Sequence, residues 1–419
     1  MADTFHSTAG LRAALAETSF DRPPALLANA HITGLGVARA LAAHDVPVIA
    51  LDRTGRGVAS PSEAVAYAGQ VTYPLDDRDA FREDVESIAA ELGHEPVAFA
   101  CMDEWVNAFA ESRPAGVRLP FDDRSYDGVL DKEALYDRCE GFGVPYPETY
   151  SLDDVDPETA ADRLGYPLVA KPARKREGEA VLGTNVLEVG DADELASVVG
   201  TAEEAGLRLL LQERVDVAVG EDRSVASYVP PSGVEDAVGI VGNARVRKPT
   251  GYGTSCVVRS VDGPELAGRA FDLLADAGYY GISESEFVYD EARGEYVLLD
   301  LNTRPWKWIG LPVEAGADLP YAAYAETVGD GANVGGTNPA DAGAATDATW
   351  VYLRDYLDVL AGEPSFADVL DRGTWTSLAS GRFETERGVT TGVYSPSDPA
   401  PTVRLLETAF GSNEYYCAC

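Results

Sequence analysis

Two strand-length runs joined by a short polar turn, between Gly281 and Arg304, constrain the fold of this 419-residue chain more than any other stretch. Gly281-Ile282-Ser283-Glu284-Ser285-Glu286-Phe287-Val288-Tyr289-Asp290 leads through Glu291-Ala292-Arg293-Gly294 into Glu295-Tyr296-Val297-Leu298-Leu299-Asp300-Leu301-Asn302-Thr303-Arg304. The pattern predicts a β-hairpin. Alternate side chains of a strand share a face, so Asp300, Asn302 and Arg304 point one way and Leu299 and Leu301 the other. Glu284 and Glu286 share a face for the same reason. In a suitable register, which the sequence does not fix, Glu286 joins Asp300 and Asn302. Two carboxylates and an amide oxygen make a hard donor set suited to Mg2+. An arginine beside them suits phosphate or developing negative charge. The plain alternative is a solvated hairpin face.

Lysine is scarce, which gives weight to each one. The chain has Lys132, Lys171, Lys175, Lys248 and Lys307 among 33 basic residues. Lys171 ends the apolar run Leu168-Val169-Ala170 and precedes Pro172, a place for a point charge that meets phosphate. Lys132 opens a helix expected over 133–142, where a cation opposes the helix dipole unless an anion lies near. Snorkelling stems are the alternative for both. Residues 174–184, with Gly178 and Gly183, suit a loop whose backbone N–H groups fold over phosphates. Arg247, Lys248 and Arg259 are candidates for contact with an acidic substrate. The acids number 70, for a net charge of −37. Such a charge argues against nucleic acid or an anionic membrane as partner and reads as adaptation to a salt-rich cytoplasm. No apolar run reaches about 18 residues, so no transmembrane helix is expected. The start at Met1 lacks the basic and apolar segments of a secretory signal. Five cysteines are sparse and odd in number, as in a reduced interior. The Cys417-Ala418-Cys419 end supplies only half a zinc site.

The chain reads as four consecutive pieces of α/β character: 1–118, 119–205, 206–330 and 331–419. The first opens with a βαβ unit: an apolar run at 24–30, the turn His31-Ile32-Thr33-Gly34-Leu35-Gly36, a helix at 37–44 and a second run at 46–52. Gly34 and Gly36 fit the first two positions of a dinucleotide fingerprint, but Arg39 takes the third. The turn either binds a ligand at the helix N-terminus or is a plain tight turn. Helices are expected near 157–164 and 264–277, with strands at 207–212, 225–229, 240–247 and 254–261. Gly331 to Ala348 reads as a linker.

The order Asp131-Lys132, Lys171-Pro172, Gln212-Glu213-Arg214-Val215, Glu221, Glu286-Phe287 and Asp300-x-Asn302-x-Arg304 resembles the ATP-grasp superfamily. It is most similar to the carboxylate–amine ligases related to D-aspartate ligase and the carbamoyl-phosphate-synthase-like enzymes. Arg304-Pro305-Trp306-Lys307-Trp308 and the segment Ser395 to Pro401 add to the likeness. The resemblance implies an N-terminal Rossmann-like pre-ATP-grasp domain at 1–118. Two ATP-grasp lobes, 119–205 and 206–330, then clamp ATP, with a small C-terminal region after them. It implies that Lys132 and Lys171 contact the ATP phosphates and that Gly178 and Gly183 belong to a lid over them. Gln212, Glu213 and Val215 meet adenine through backbone groups, and Glu221 binds the ribose. Glu286, Asp300 and Asn302 hold Mg2+, or Mn2+ in its place, and Asp300 stands where glutamate is more frequent. Arg304, with Lys171, is the catalytic residue that stabilises an acyl phosphate and the adduct formed from it. The activity implied is phosphoryl transfer from ATP to a carboxylate, followed by attack of an amine to give an amide, ADP and phosphate. Small carboxylates and amines are the implied partners, and a homodimer is the expected assembly. Two alternatives stand beside it. One is another ATP-grasp phosphoryl-transfer or carboxylase-type enzyme, although the chain lacks a biotinyl Met-Lys-Met. The other is a non-catalytic ATP-binding module.

Overall fold

The computed structural model describes residues 5–126, 129, 131–173, 181–182, 184, 186–251, 253–330, 338, 340 and 347–410, except the side chains of Glu133 and Phe410. Gly178, Gly183 and Cys417 to Cys419 lie outside the described residues, as does most of the expected linker. The chain is α/β and groups into two compact units. One comprises Met1–Tyr126, Val219–Ser285 and Asn302–Cys419; the other comprises Asp127–Ala218 and Glu286–Leu301. The four pieces read from the sequence cut the chain in order, whereas compactness groups residues across it.

The first unit opens on a parallel sheet of five strands, ordered Phe5–His6, Tyr67–Gln70, Val48–Asp52, Ala25–Ala28, Val97–Ala100. Ala25–Ala28, Val48–Asp52 and Val97–Ala100 are buried at every position, as parallel strands covered on both faces must be. The expected βαβ unit is present, with Ile32–Ala42 as its helix. The glycines differ from expectation: Gly34 and Gly36 lie inside this helix, and the turn is Asn29 to His31. Asn29 takes the left-handed conformation, φ 72°, which asparagine tolerates better than most residues. A Cβ on Gly34 would come within 2.4 Å of the Asn29 carbonyl oxygen, and one on Gly36 within 2.6 Å of Ile309 Cγ2. These glycines therefore permit close packing of the helix rather than a bend. Arg39 reaches Asp398, Nη2 to Oδ2 3.0 Å, and the Val393 carbonyl at 3.1 Å. Asp398 also accepts from Ser62 Oγ at 2.6 Å and the Glu63 N–H at 3.1 Å. A long side chain at position 39 thus ties the segment around Asp398 to the first piece, a role a small fingerprint residue would not fill.

A second sheet of seven strands runs Glu295–Asn302, Gly281–Asp290, Asp222–Val229, Val238–Lys248, Thr254–Val261, Thr349–Val351, Val389–Thr391. The hairpin read from the sequence is there: its strands are neighbours, and the Gly294 N–H donates to the Asp290 carbonyl at 2.8 Å. Trp306 and Trp308 are 4% exposed and meet edge to face at 5.0 Å, as part of the core of the first unit.

The second unit has its own antiparallel sheet, ordered Thr149–Ser151, Leu209–Glu213, Leu168–Pro172, Leu187–Val189. Helices Pro157–Leu164 and Ala192–Ala205 start on the caps Asp156 and Asp191, each accepting a backbone N–H at 3.0 Å, a contact worth about 1 kcal/mol. They bury Ala160, Ala161 and Leu195 with Leu168, Ala170 and Leu211 of the sheet. Gln212 is paired with Thr149 on one side and Val169 on the other, and Lys171 with Leu210. Directly paired residues share a face and alternate residues do too. Thr149, Val169, Lys171 and Gln212 therefore lie together on the face turned from that core. Among the described residues no helix is long and apolar enough to cross a membrane.

Candidate active site

The sequence-predicted residues fall into two clusters, one in each unit. In the second unit the helix Lys132–Phe142 begins at Asp131, whose Oδ1 accepts the Ala134 N–H at 3.0 Å. Lys132, in the first turn, places its Nζ 2.5 Å from Asp300 Oδ1, with both side chains under a fifth exposed. The carboxylate offsets the unfavourable position of a cation at a helix start. Four residues on, Tyr136 lies on the same side of the helix. Its hydroxyl bonds the Leu299 carbonyl at 3.3 Å, and its ring stacks on Tyr146 at 4.9 Å. Burial pushes the Tyr136 hydroxyl up from its ordinary range, so it stays protonated.

Lys171 Nζ donates to Gln212 Oε1 at 2.6 Å. Gln212 is 3% exposed, and its Nε2 bonds Thr149 Oγ1 at 2.8 Å and the Tyr136 hydroxyl at 3.0 Å. Gln212 is placed differently from the expectation that its backbone meets adenine. Its main chain lies in the sheet with strands on both sides, and its side chain makes the contacts near Lys171. Glu213 ends that strand, taking the Glu148 N–H at 2.8 Å and pairing with Arg293. Val215 follows, past the strand end.

In the first unit Arg304 is the centre. Its Nε donates to Asp103 Oδ1, Nη2 to Asp103 Oδ2 at 3.4 Å, and Nη1 to the Pro305 carbonyl at 3.1 Å. Burial alone would lower its pKa, but Asp103 overcomes this and holds it above the ordinary arginine value. Three of its five N–H groups are thus engaged, and among the described residues two have no acceptor. Asp103 starts the helix Asp103–Ser112, where an acid is favourable. Nothing local to Asp103 announces this role, because Arg304 is 201 residues away. Glu284, 4% exposed, takes a hydrogen bond from Asn302 Nδ2 at 3.2 Å and adds to the field on Arg304. This bond assigns the nitrogen end of the amide, so Asn302 presents oxygen on the other side. Glu221 pairs with Arg223 at 3.2 Å and Arg245 at 3.8 Å.

Glu286 and Asp300 belong to the second unit and Asn302 to the first. Two carboxylates and an amide oxygen are chemically apt for Mg2+. Among the described residues, no group of three or more His, Cys, Asp and Glu side chains is arranged to hold a metal ion. The expected set has only two acids. Arg247, Lys248 and Arg259 are engaged within the first unit, with Asp222 at 2.5 Å, with Asp358, and with the Val369 carbonyl.

No protein-family model matches the chain. It is 26% identical over 190 residues to a D-alanine–D-alanine ligase of Stutzerimonas stutzeri, covering 42% of this chain and 56% of the relative. It is 27% identical over 191 residues to that of Mannheimia succiniciproducens, covering 42% and 58%. The chain thus spans a little over half the length of the curated relatives it matches. Among solved structures, N5-carboxyaminoimidazole synthetase from Staphylococcus aureus superposes with TM-score 0.60 at 13% identity, over 83% of this chain and 86% of that one. The biotin carboxylase domain of Hydrogenobacter thermophilus 2-oxoglutarate carboxylase, a dimer in complex with MgADP and bicarbonate, gives 0.59 at 15% identity over 78% and 73%. L-amino acid ligase from Bacillus licheniformis gives 0.54 at 13% identity over 74% and 75%. The chain thus shares the fold of these neighbours and a limited sequence similarity with the two ligase relatives.

Proposed function

We propose that the protein is an ATP-dependent carboxylate–amine ligase. The observation that carries the reading is Arg304. Its guanidinium, on a side chain 12% exposed, is fixed in plane by Asp103 and keeps two N–H groups for an oxyanion. This is the arrangement that stabilises an acyl phosphate and the tetrahedral adduct derived from it. Lys132 and Lys171 bind the ATP phosphates, under a lid at Gly178 and Gly183. Glu213 and Val215 present backbone groups to adenine, and Glu221 takes the ribose. Glu286, Asp300 and Asn302 hold Mg2+ or Mn2+, which supplies charge neutralisation to the phosphates when bound. The residues contribute positioning and charge rather than a covalent step of their own. A reduced, salt-rich cytoplasm and a homodimeric assembly belong to the same reading. The acidic composition supports the first, and the dimeric carboxylase neighbour supports the second.

Phosphate release from ATP and Mg2+ in molar KCl, with amino acids and small carboxylates added singly and in pairs, tests the reading. Release that needs one acid and one amine, with an amide product by mass, is the expected result. Release with bicarbonate alone would replace it with a carboxylase-type reaction, for which the biotin carboxylase neighbour is the precedent. ATP binding without release for any pair would leave a binding module.

A further inference from the structure

The family resemblance sends Lys132 to phosphate and Asp300 to a metal ion, yet in the second unit the two hold each other. Lys132 Nζ lies 2.5 Å from Asp300 Oδ1, and the Leu301 N–H donates to the same oxygen at 2.9 Å. The contact is anchored on both sides. The helix Lys132–Phe142 presents Lys132 and Tyr136 one turn apart. Lys132 meets Asp300, and the Tyr136 hydroxyl meets the carbonyl of the preceding residue, Leu299, at 3.3 Å. Tyr136 is 5% exposed and is itself held by Gln212 Nε2 at 3.0 Å. The helix is therefore fixed against the strand at two consecutive residues. The paired side chains are 11% and 18% exposed, where charges interact more strongly than in water and are screened less by salt. Two charges so placed set terms for any ion that joins them. A divalent cation on Asp300 meets the Lys132 ammonium as a like charge. A polyphosphate on Lys132 meets the Asp300 carboxylate in the same way. Metal and nucleotide together bring opposite charges and remove both conflicts.

We propose that Lys132 and Asp300 form a counter-ion latch that admits the metal–nucleotide complex and disfavours either component alone. The proposal rests on the ligase reading for the identity of both ions. It goes beyond that reading in making the pair a selector, each residue opposing the ligand of the other until both ligands arrive.

Calorimetry on the full chain in molar KCl gives three dissociation constants: for MgCl2 alone, for ATP with EDTA, and for MgATP. Lys132→Met is expected to tighten binding of Mg2+ alone and to weaken binding of MgATP, each about tenfold, within the usual range of coupling between sites. Asp300→Asn keeps the shape and removes the charge. It is expected to tighten ATP binding in EDTA about tenfold and to abolish the gain that Mg2+ gives the wild type. Opposite signs from one substitution are the signature of the latch, because loss of a merely structural contact weakens all three affinities together. Tightening in neither variant overturns the proposal. If Lys132→Met does not fold, the ATP affinity of Asp300→Asn in EDTA decides alone. Failure of the wild-type chain to bind MgATP contradicts the nucleotide reading and the latch with it, whereas normal MgATP binding by the wild type with uniform weakening in both variants overturns the latch alone.

Discussion

Arg304 and Lys171 are both part-buried cations, and the fold gives each a different acceptor. Arg304, in the first unit, is gripped by a carboxylate, Asp103. Lys171, in the second, leans on a neutral amide, Gln212. The difference follows from the side chains. A guanidinium has five donors in a rigid plane, so a carboxylate on one edge fixes it while N–H groups elsewhere stay in use. An ammonium is a single point with no rigid plane, and its acceptor can be an amide oxygen or a carboxylate. Lys132 has a carboxylate, Asp300, at 2.5 Å.

The comparison breaks first at Arg304. Arg304→Met is expected to lower the rate of amide formation at least about a hundredfold, the scale of losing a preorganised donor to an oxyanion. Arg304→Lys should recover little, because a point charge cannot use Asp103 and a substrate oxygen on separate edges. Steady-state turnover with the identified substrates checks both, and a lysine variant near wild type would show that planarity is irrelevant. Asp103→Ala comes next. The pair is part-buried, 12% and 21% exposed, so removing one partner costs less than the about 3–5 kcal/mol of a fully buried pair, and a fall in denaturation midpoint should accompany the loss of rate. An Asp103→Glu variant should recover most of the stability. An unchanged midpoint would mean that Asp103 does not hold the arginine.

An effect that appears only as pH falls comes from His31, also in the first unit. Burial first, then Lys307 and Arg354, push its pKa down to about 3. The unfolded chain therefore takes up this proton before the folded one. The stability contributed is complete above about pH 6.5 and is lost as pH falls toward 3, at up to about 1.4 kcal/mol per pH unit. Subtracting the denaturation curves of His31→Gln from those of the wild type isolates this slope from the many carboxylates. A flat difference between pH 6.5 and 4 would show that His31 is not held neutral.

Much of the architecture was legible in the sequence because it depends on local alternation and local breaks. The hairpin at 281–302 follows from alternation and its polar turn, and the strand ending at Lys171-Pro172 from a short apolar run. What alternation does not carry is register and long-range partnership. Nothing local to Lys171 announces that Gln212, on the neighbouring strand, is its acceptor, nor that Thr149 and Tyr136 lock that amide. Asp103 and Arg304 are 201 residues apart and meet only in the fold. Gly34 and Gly36 misled for a different reason: glycine marks both a bend and a close approach, and only the distances to Asn29 and Ile309 separate the two. Arg39 broke the fingerprint because its partner, Asp398, lies near the other end of the chain.

Oxygen transfer is the most direct test of the central claim. The carboxylate substrate found in the panel is labelled with 18O in both oxygens and turned over with ATP and the amine. A ligase that activates the acid as an acyl phosphate delivers one 18O to each phosphate released and retains one in the amide. Phosphate carrying no label, alongside an amide product, would contradict activation of the carboxylate by phosphoryl transfer.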